Sequence, residues 1–220
     1  RQTLVHIHAD ANEIGRLCTP ALGIVASVAG FAQAAAALAP TPGWRPARSG
    51  AHAAGSAPVL LPTPGPLDLN AAAGHVAASL PARACVTVGA GNYALYAHRH
   101  IAFKGLASQL APAVGAMGYG LPAAIAAKLH DRDAPVICFA GDGCFQMTMQ
   151  EVATAVQHRL GIVILVFNNG LYGTIRLHQE RAYPGRALAT TLVNPDFAQL
   201  AQSYGAVSYT HLTLPTTPYV

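Results

Sequence analysis

Two uninterrupted apolar segments, residues 135–140 and 162–167, constrain the fold of this chain more than any other feature. A strand without polar positions needs cover on both faces, which is the situation of a strand inside a parallel sheet. Between the two segments, apolar residues recur at helical spacing over 145–160, which predicts a connecting helix. Segments of the same two kinds occur earlier in the chain, with predicted helices at 67–80 and 122–129 and a predicted strand at 84–88. The sequence therefore predicts an α/β fold, a parallel sheet with helices on both faces.

The first 39 residues are typical of the end of a separate α/β unit. A predicted strand at 4–8 precedes a turn and an alanine-rich segment, residues 21–39, which is long enough to cross a bilayer. Ala and Gly dominate that segment, however, and they gain little from lipid. Its larger side chains Val28, Phe31 and Leu38 fall near one helical face. We therefore expect a packed helix over 21–39 and no membrane span.

Changes in composition mark two further boundaries. Residues 40–66 are rich in Pro, Gly, Ala and Ser without sustained periodicity, which is typical of a linker. Residues 207–220 carry no charge and look like a translated sequencing adapter, so we expect a non-native tail there. The predicted organisation is the end of one domain at 1–39, the linker, an incomplete α/β domain at 67–206, and the tail.

Charge and cysteine patterns argue against several function classes. The formal net charge of +4 at pH 7 arises from scattered arginines, without the basic run of a nucleic-acid surface. The four cysteines form no C-x-x-C pair and the ten histidines no H-E-x-x-H motif, which argues against a zinc site. Unpaired thiols and the lack of a signal-peptide pattern make the cytoplasm the expected compartment. Arg1 in place of a methionine indicates a fragment of a longer chain.

Three loops are expected at one edge of the predicted sheet, because ligands of parallel α/β sheets bind beyond the carboxyl ends of the strands. Gly141-Asp142-Gly143 follows one predicted strand, and Asn168-Asn169 follows the next. A carboxylate, an amide oxygen and a backbone carbonyl are hard ligands that suit Mg²⁺. The glycine-rich loop at 115–122 adds backbone that can approach a ligand closely. Each motif alone is common turn chemistry, but their order along the chain predicts a magnesium-diphosphate site.

This order of motifs resembles that of the thiamine-diphosphate-dependent enzymes that act on 2-keto acids, most closely the acetolactate synthase-like members. The signature of that family begins with GDG and ends with NN, as residues 141–169 do here. The loop at 115–122 is similar to the family's loop whose methionine, here Met117, props the cofactor into its bent shape. Residues 5–23 look like the end of the family's Rossmann-like central domain. The resemblance covers nearly all of the chain outside the linker and the tail.

The resemblance implies thiamine diphosphate and Mg²⁺ as cofactors, whereas FAD cannot be judged from the remnant of the central domain. It implies that Asp142 and Asn169 bind Mg²⁺ through side-chain oxygens and Leu171 through its backbone carbonyl. Cys144 stands where the family often has Ser or Ala, and we expect no redox role for it. The full set of implied cofactor-binding residues is Gly91, Asn92, Tyr93, Gly115, Ala116, Met117, Asp142, Gly143, Cys144, Asn169, Leu171 and Tyr172.

The implied activity of the parent enzyme is cleavage of a small-molecule 2-keto acid next to its carbonyl, with transfer of the acyl-anion equivalent to an acceptor. A decarboxylase, a C–C lyase and a cofactor-binding module without turnover stay open as alternatives. In this family a glutamate activates the cofactor from a pyrimidine-binding domain of the same or a partner subunit. Glu13, Glu151 and Glu180 match no such motif. We therefore assign no catalytic residue, expect the isolated chain to be inactive, and expect a homodimer or homotetramer for the parent.

Other site chemistries fit part of the pattern. Residues 89–94 match the G-x-G-x-x-A dinucleotide fingerprint, but no acidic residue for the ribose occurs between Asp68 and Asp131. Asp142 also fits a phospho-acceptor or a phosphatase nucleophile at a strand end, a function that leaves Asn168-Asn169 unexplained. The polar residues that follow the second motif either orient a keto acid or form a solvated helix face; they are Arg176, His178 and Glu180.

Overall fold

The computed structural model describes residues 2–39, 63, 68–103, 105 and 108–207. Apart from residues 63 and 207, the predicted linker at 40–66 and tail at 207–220 lie outside the described residues, as does the start of the predicted helix at 67–80. The chain divides into two compact units, Arg1–Ala57 and Pro58–Val220. Each unit is described by itself.

The first unit contains two parallel strands and a helix. Strand β1 (Val5–His8) pairs with strand β2 (Leu22–Val25), and helix α1 (Val28–Ala36) follows. The helix predicted over 21–39 is therefore wrong at its beginning, where residues 22–25 are extended. The physical reason is local. A short run with β-branched side chains favours a strand, and the extended Ser27 begins the helix by accepting the Gly30 N–H at its Oγ, 3.1 Å away.

Helix α1 buries none of its residues. Val28 is 83% exposed and Leu38, just beyond the helix, is 74% exposed. The packing expected for this helix is thus not found among the residues that the structure describes. Within the same residues, no helix is long and apolar enough to cross a membrane.

The second unit is built on a four-stranded sheet in which every pair of neighbours is parallel. The strand order is β4-β3-β5-β6, with the strands at Cys85–Val88 (β3), Gln109–Leu110 (β4), Val136–Gly141 (β5) and Ile162–Phe167 (β6). In the register of the two longest strands, Gly141 lies opposite Phe167. The predicted parallel α/β fold is confirmed, and the carboxyl ends of β5 and β6 lie side by side.

Seven helices of the second unit are described, at Leu69–Ser79 (α2), Ala94–His100 (α3), Gly120–His130 (α4), Asp142–Gln146 (α5), Glu151–Gln157 (α6), Gly173–Ala182 (α7) and Phe197–Ser203 (α8). Helices α2 and α4 lie within about two residues of their predicted ends.

The single helix predicted over 145–160 is wrong, because the chain forms α5 and α6 with a turn between them. The turn is held from outside the segment: the Thr148 hydroxyl donates to the Gly118 carbonyl at 2.9 Å. At the other end, Arg159 adopts a left-handed conformation with φ 51°, which a helix cannot contain. The first interruption depends on tertiary contact, which the apolar spacing of this segment does not reveal.

The two faces of the sheet explain the uninterrupted apolar segments. Cys138 of β5 packs in one core cluster with Leu121 and Ala124 of α4, whereas its neighbour Phe139 packs with Val88 in a cluster on the other face. Alternate residues of one strand point to opposite faces, so a strand covered twice must be apolar throughout. Among the described strands β6 lies at an edge, where Val163 is 54% exposed.

One buried polar side chain connects the sheet to the first residue of α4. Thr87 of β3 is fully buried, and its hydroxyl donates to the Gly120 carbonyl at 2.8 Å. Because a Cβ on Gly120 would meet the Gly89 nitrogen at 3.2 Å, backbone packs against backbone here. The contact fixes where the glycine-rich loop ends and α4 begins.

Replacing Thr87 by Val should lower the free energy of unfolding by about 1 kcal/mol, because Val fills the same space but cannot donate to the carbonyl. Urea unfolding followed by circular dichroism measures the change. Thr191→Val, at an exposed position, is the control and should change stability by less than about 0.5 kcal/mol. An unchanged Thr87→Val variant would show that this hydrogen bond does not stabilise the fold.

Candidate functional site

A cavity of about 320 Å³ lies beyond the carboxyl ends of β3, β5 and β6, because most of its lining residues follow these strands. The predicted cofactor-binding residues that line it are Gly91, Asn92, Tyr93, Gly115, Met117, Asp142, Gly143, Cys144, Asn169, Leu171 and Tyr172. Ala116 is the one predicted residue that the lining does not include, and it is exposed. The sequence motifs therefore meet in one place, as the sheet topology requires.

Asp142 is the buried charged group of this cavity, with 3% of its surface exposed. It begins α5 directly after the extended Gly141 that ends β5. Its Oδ1 accepts the Gly143 N–H at 2.9 Å, and its Oδ2 accepts the Gly170 N–H at 2.8 Å and the Asn194 amide at 2.7 Å. Three donors thus compensate for the loss of water around the carboxylate.

The turn after β6 presents amide and carbonyl oxygens next to this carboxylate. The Asn169 Oδ1 accepts the Leu171 N–H at 3.1 Å, which closes an Asx turn. Gly170 has φ +66°, a left-handed conformation that glycine adopts without strain. Leu171 forms an antiparallel bridge with Thr191. The turn is therefore fixed by its own side chain and by a segment about twenty residues further along the chain.

Asn194 belongs to this site, and the sequence analysis missed it. Its Nδ2 donates to the Asp142 Oδ2 and to the Asn168 Oδ1, each at 2.7 Å. The available signal was Asn-Pro-Asp ahead of α8, because Pro195 keeps the residue before it out of the helical region. Asp196 then caps α8 by accepting the Ala198 and Gln199 N–H groups at its Oδ1. Asn194 is thus held at the border between loop and helix.

The Tyr93 ring fills the space beneath the turn after β3. It stacks on Phe167 with ring centroids 5.7 Å apart. A Cβ on Gly91 or on Gly141 would lie 2.8 Å from its ring atoms, so both positions require glycine. The Tyr93 hydroxyl oxygen is buried and has no hydrogen-bond partner among the described residues, and burial raises the pKa of Tyr93. The side chain is therefore neutral and serves as packing.

Two side chains tie the turn after β3 to the rest of the site. The Cys144 thiol, which is buried, donates to the Ala90 carbonyl at 3.0 Å. The Thr174 hydroxyl at the beginning of α7 donates to the Asn92 Oδ1 at 3.0 Å. The structure thus gives Cys144 a hydrogen-bonding role in joining α5 to this turn.

The electrostatics of the cavity are simple. Among the residues that line it, Asp142 is the one Asp, Glu, Lys, Arg or His residue. Arg176 and Glu180 pair with each other at 3.5 Å and do not line the cavity, and His178 is exposed. In the described part of the chain no three His, Cys, Asp or Glu residues are close enough to hold a metal. A negatively charged ligand would therefore meet a carboxylate and no basic side chain.

The oxygen donors present fit a hard cation that keeps part of its shell for water and phosphate. They are the Asp142 carboxylate, the Asn169 amide and the Leu171 carbonyl, and Asp142 and Asn169 follow neighbouring strands. A soft metal would demand thiolate or imidazole ligands. The lining includes no histidine, and the thiol of its cysteine, Cys144, donates to the Ala90 carbonyl.

A comparison with protein families identifies the second unit. The model of the thiamine pyrophosphate enzymes, C-terminal TPP binding domain, matches residues 89–215. The chain belongs to this family. The match includes every loop of the cavity and extends into residues 207–220. The resemblance inferred from the GDG and NN motifs is confirmed.

Several curated relatives are acetolactate synthases. The chain is 45% identical over 94 residues to acetolactate synthase of Arthrospira platensis. These aligned residues make up 42% of this chain and 16% of that protein. It is 39% identical over 95 residues to the isozyme 3 large subunit of Escherichia coli, covering 43% of this chain and 17% of that protein. The matched part thus spans about a sixth of the length of these relatives.

The fold is shared with a solved structure, a thiamine diphosphate-dependent 4-hydroxybenzoylformate decarboxylase of Rhodococcus jostii. The TM-score is 0.69 at 24% sequence identity, over 92% of this chain and 38% of that chain. This likeness supports the α/β fold described above.

Replacing Tyr93 by Phe should raise the free energy of unfolding by about 1 kcal/mol, because the ring stacking is kept and an unpartnered buried hydroxyl is removed. Thermal and urea unfolding measure the change. Tyr183→Phe, on a side chain that is 62% exposed, is the matched control and should be neutral. A less stable Tyr93→Phe variant would contradict the absence of a partner for this hydroxyl.

Proposed function

We propose that the cavity binds thiamine diphosphate together with Mg²⁺. Asp142 and Asn169 would hold the cation through side-chain oxygens and Leu171 through its carbonyl. The observation that carries this proposal is the lone carboxylate in a cavity without a basic side chain. A diphosphate beside that carboxylate is repelled unless a divalent cation lies between the two.

The remaining residues of the proposed site contact the cofactor mainly through backbone. Gly143 lets the Tyr172 ring pack closely, because a Cβ there would lie 2.5 Å from that ring. Its N–H donates to Asp142, so the N–H of Cys144, the next residue, is the donor proposed for the diphosphate. The turn Gly91-Asn92-Tyr93 faces the same cavity from β3. The predicted cofactor-binding residues also include Gly115, Ala116 and Met117. The loop that carries them would support the bent shape of the cofactor.

The proposed activity belongs to the parent enzyme. Bound thiamine diphosphate supplies carbanion-stabilising chemistry, and the residues of this chain bind and orient it. The names of the curated relatives support cleavage of a 2-keto acid with transfer of the acyl-anion equivalent to an acceptor. The activity named for the solved neighbour supports the alternative of a 2-keto acid decarboxylase. We propose a cytoplasmic homodimer or homotetramer as the parent.

The carboxylate that activates the cofactor would come from outside this chain. Glu151 accepts the Thr154 hydroxyl at 2.8 Å and Glu180 pairs with Arg176, and neither lines the cavity. Glu13 lies in the first unit, where it pairs with Arg16. We therefore propose that a pyrimidine-binding domain, of the same or a partner subunit, completes the site, and that the isolated chain is inactive.

Calorimetric titration of thiamine diphosphate into the chain, with and without Mg²⁺, tests the cofactor assignment. We expect binding only with Mg²⁺, because the cation must separate the diphosphate from Asp142. Asp142→Asn should weaken this binding by at least about tenfold, since it removes the charged ligand. The matched control is Asp133→Asn. Asp133 is exposed and precedes the amino end of β5, the strand that Asp142 follows. This variant should bind the cofactor as the wild type does.

Binding that is independent of Mg²⁺, or an Asp142→Asn variant that binds normally, would contradict the proposed site. Circular dichroism of each variant establishes that the protein is folded. Asp142→Ala in parallel removes the side chain altogether and should show the same loss.

Turnover of pyruvate, followed by release of carbon dioxide, tests the division of the active site between domains. We expect none from the isolated chain and measurable release when the parent's pyrimidine-binding domain is added. Activity of the isolated chain would contradict the proposal. Binding of cofactor without turnover in the reconstituted protein would support a cofactor-binding module instead.

A further inference from the structure

The side chains of Asn92 and Thr174 join two walls of the cavity that are 82 residues apart in the sequence. Asn92 lies in the turn after β3, and Thr174 is the second residue of α7. Both residues line the cavity and both are half-buried. The Thr174 hydroxyl donates to the Asn92 Oδ1 at 3.0 Å. One wall of the cavity therefore fixes the carbonyl oxygen of an amide that belongs to another wall.

This hydrogen bond determines what the Asn92 amide offers to a ligand. A hydroxyl has one hydrogen to donate, whereas an amide group has one acceptor oxygen and two N–H donors. Because the oxygen is turned to Thr174, the nitrogen occupies the other branch of the amide. No described residue accepts a hydrogen bond from the Asn92 Nδ2. The N–H groups of Asn92 are thus left for a ligand in the cavity.

The composition of the lining gives such a donor a use. The lining contains no Lys, Arg or His residue, so no basic side chain can bind an anion there. A diphosphate in this cavity must be held by a cation and by neutral N–H groups. Hydrogen bonds from neutral donors to a charged oxygen are stronger than those between two neutral groups. A side-chain amide with free N–H groups suits this task.

We propose that Thr174 is a positioning residue, which holds the Asn92 amide so that its Nδ2 donates to the diphosphate of the cofactor. This inference rests on the proposed function. Thr174 acts through Asn92, and it lies three residues after Leu171 in the segment that carries two of the proposed cation ligands. The segment after β6 would thus fix both the cation and a donor on the opposite wall.

A first experiment tests the positioning in the chain without cofactor. Three-bond couplings to the Asn92 Cγ, measured by NMR, show whether the χ1 angle of this side chain takes one rotamer or an average of several. We expect one rotamer in the wild type and in Thr174→Ser, which keeps the hydroxyl, and an average in Thr174→Val. An average in the wild type, or one rotamer in a folded Thr174→Val variant, would overturn the positioning role.

A second experiment tests whether Thr174 acts through Asn92. The dissociation constant of thiamine diphosphate is measured at saturating Mg²⁺. Asn92→Ala should weaken binding by at least about tenfold, because a hydrogen bond to a charged oxygen is lost, and Thr174→Val by about threefold to tenfold. Thr174→Ser should restore binding. In the Asn92→Ala background Thr174→Val should cause no further loss, and additive losses would overturn the proposal.

A third variant tests the orientation of the amide. Asn92→Asp keeps the shape of the side chain and an acceptor for Thr174, but it replaces the nitrogen by a second, charged oxygen. We expect this variant to bind thiamine diphosphate more weakly than Asn92→Ala, because the carboxylate repels the diphosphate. Tighter binding than in Asn92→Ala would show that Asn92 does not act as a donor to the diphosphate.

The matched control is Thr154→Val on α6. The Thr154 hydroxyl also donates to a side-chain oxygen, that of Glu151 at 2.8 Å, and Thr154 is half-buried outside the cavity. This variant should bind the cofactor as the wild type does, and a loss equal to that of Thr174→Val would contradict a specific role. If the wild type binds no thiamine diphosphate in Mg²⁺, the proposed function fails, whereas the coupling measurement still decides the positioning role.

Discussion

The site depends on a carboxylate that is almost completely buried at the end of an inner strand. A buried charge is costly unless donors surround it, and Asp142 obtains its three from the start of its own helix, from the turn after the neighbouring strand and from the loop before the last helix. Each donor fixes the position of the segment that carries it. The requirement to stabilise one charge therefore arranges three loops around one cavity.

Much of the fold could be predicted from the sequence because the inner strands are covered twice. The apolar segments at 135–140 and 162–167 predicted such strands, and the structure has strands at 136–141 and 162–167, the second at an edge of the described sheet. The wrong predictions concern residues 22–25 and 147–150, which lie inside alanine-rich or apolar stretches. In the first case a capping serine begins the helix late, and in the second a threonine bonds to a distant loop.

The site could be predicted as far as it follows directly from strand ends. GDG and NN are local motifs, and a parallel sheet brings them together. Asn194 could not be found in this way, because it is 52 residues from Asp142 and its role appears only through contact. Thr174 could not be found either, because it bonds to Asn92, which is 82 residues away in the sequence. Which of these residues contact a cofactor stays a prediction.

The double tether on the turn after β3 has an energetic consequence. The Cys144 thiol and the Thr174 hydroxyl hold Ala90 and Asn92 from two sides, so the chain has already lost the freedom of this turn during folding. Immobilising a loop at the moment of association would otherwise subtract from affinity. Because the turn after β3 is already ordered, less of the binding free energy of a ligand in the cavity is lost to ordering it.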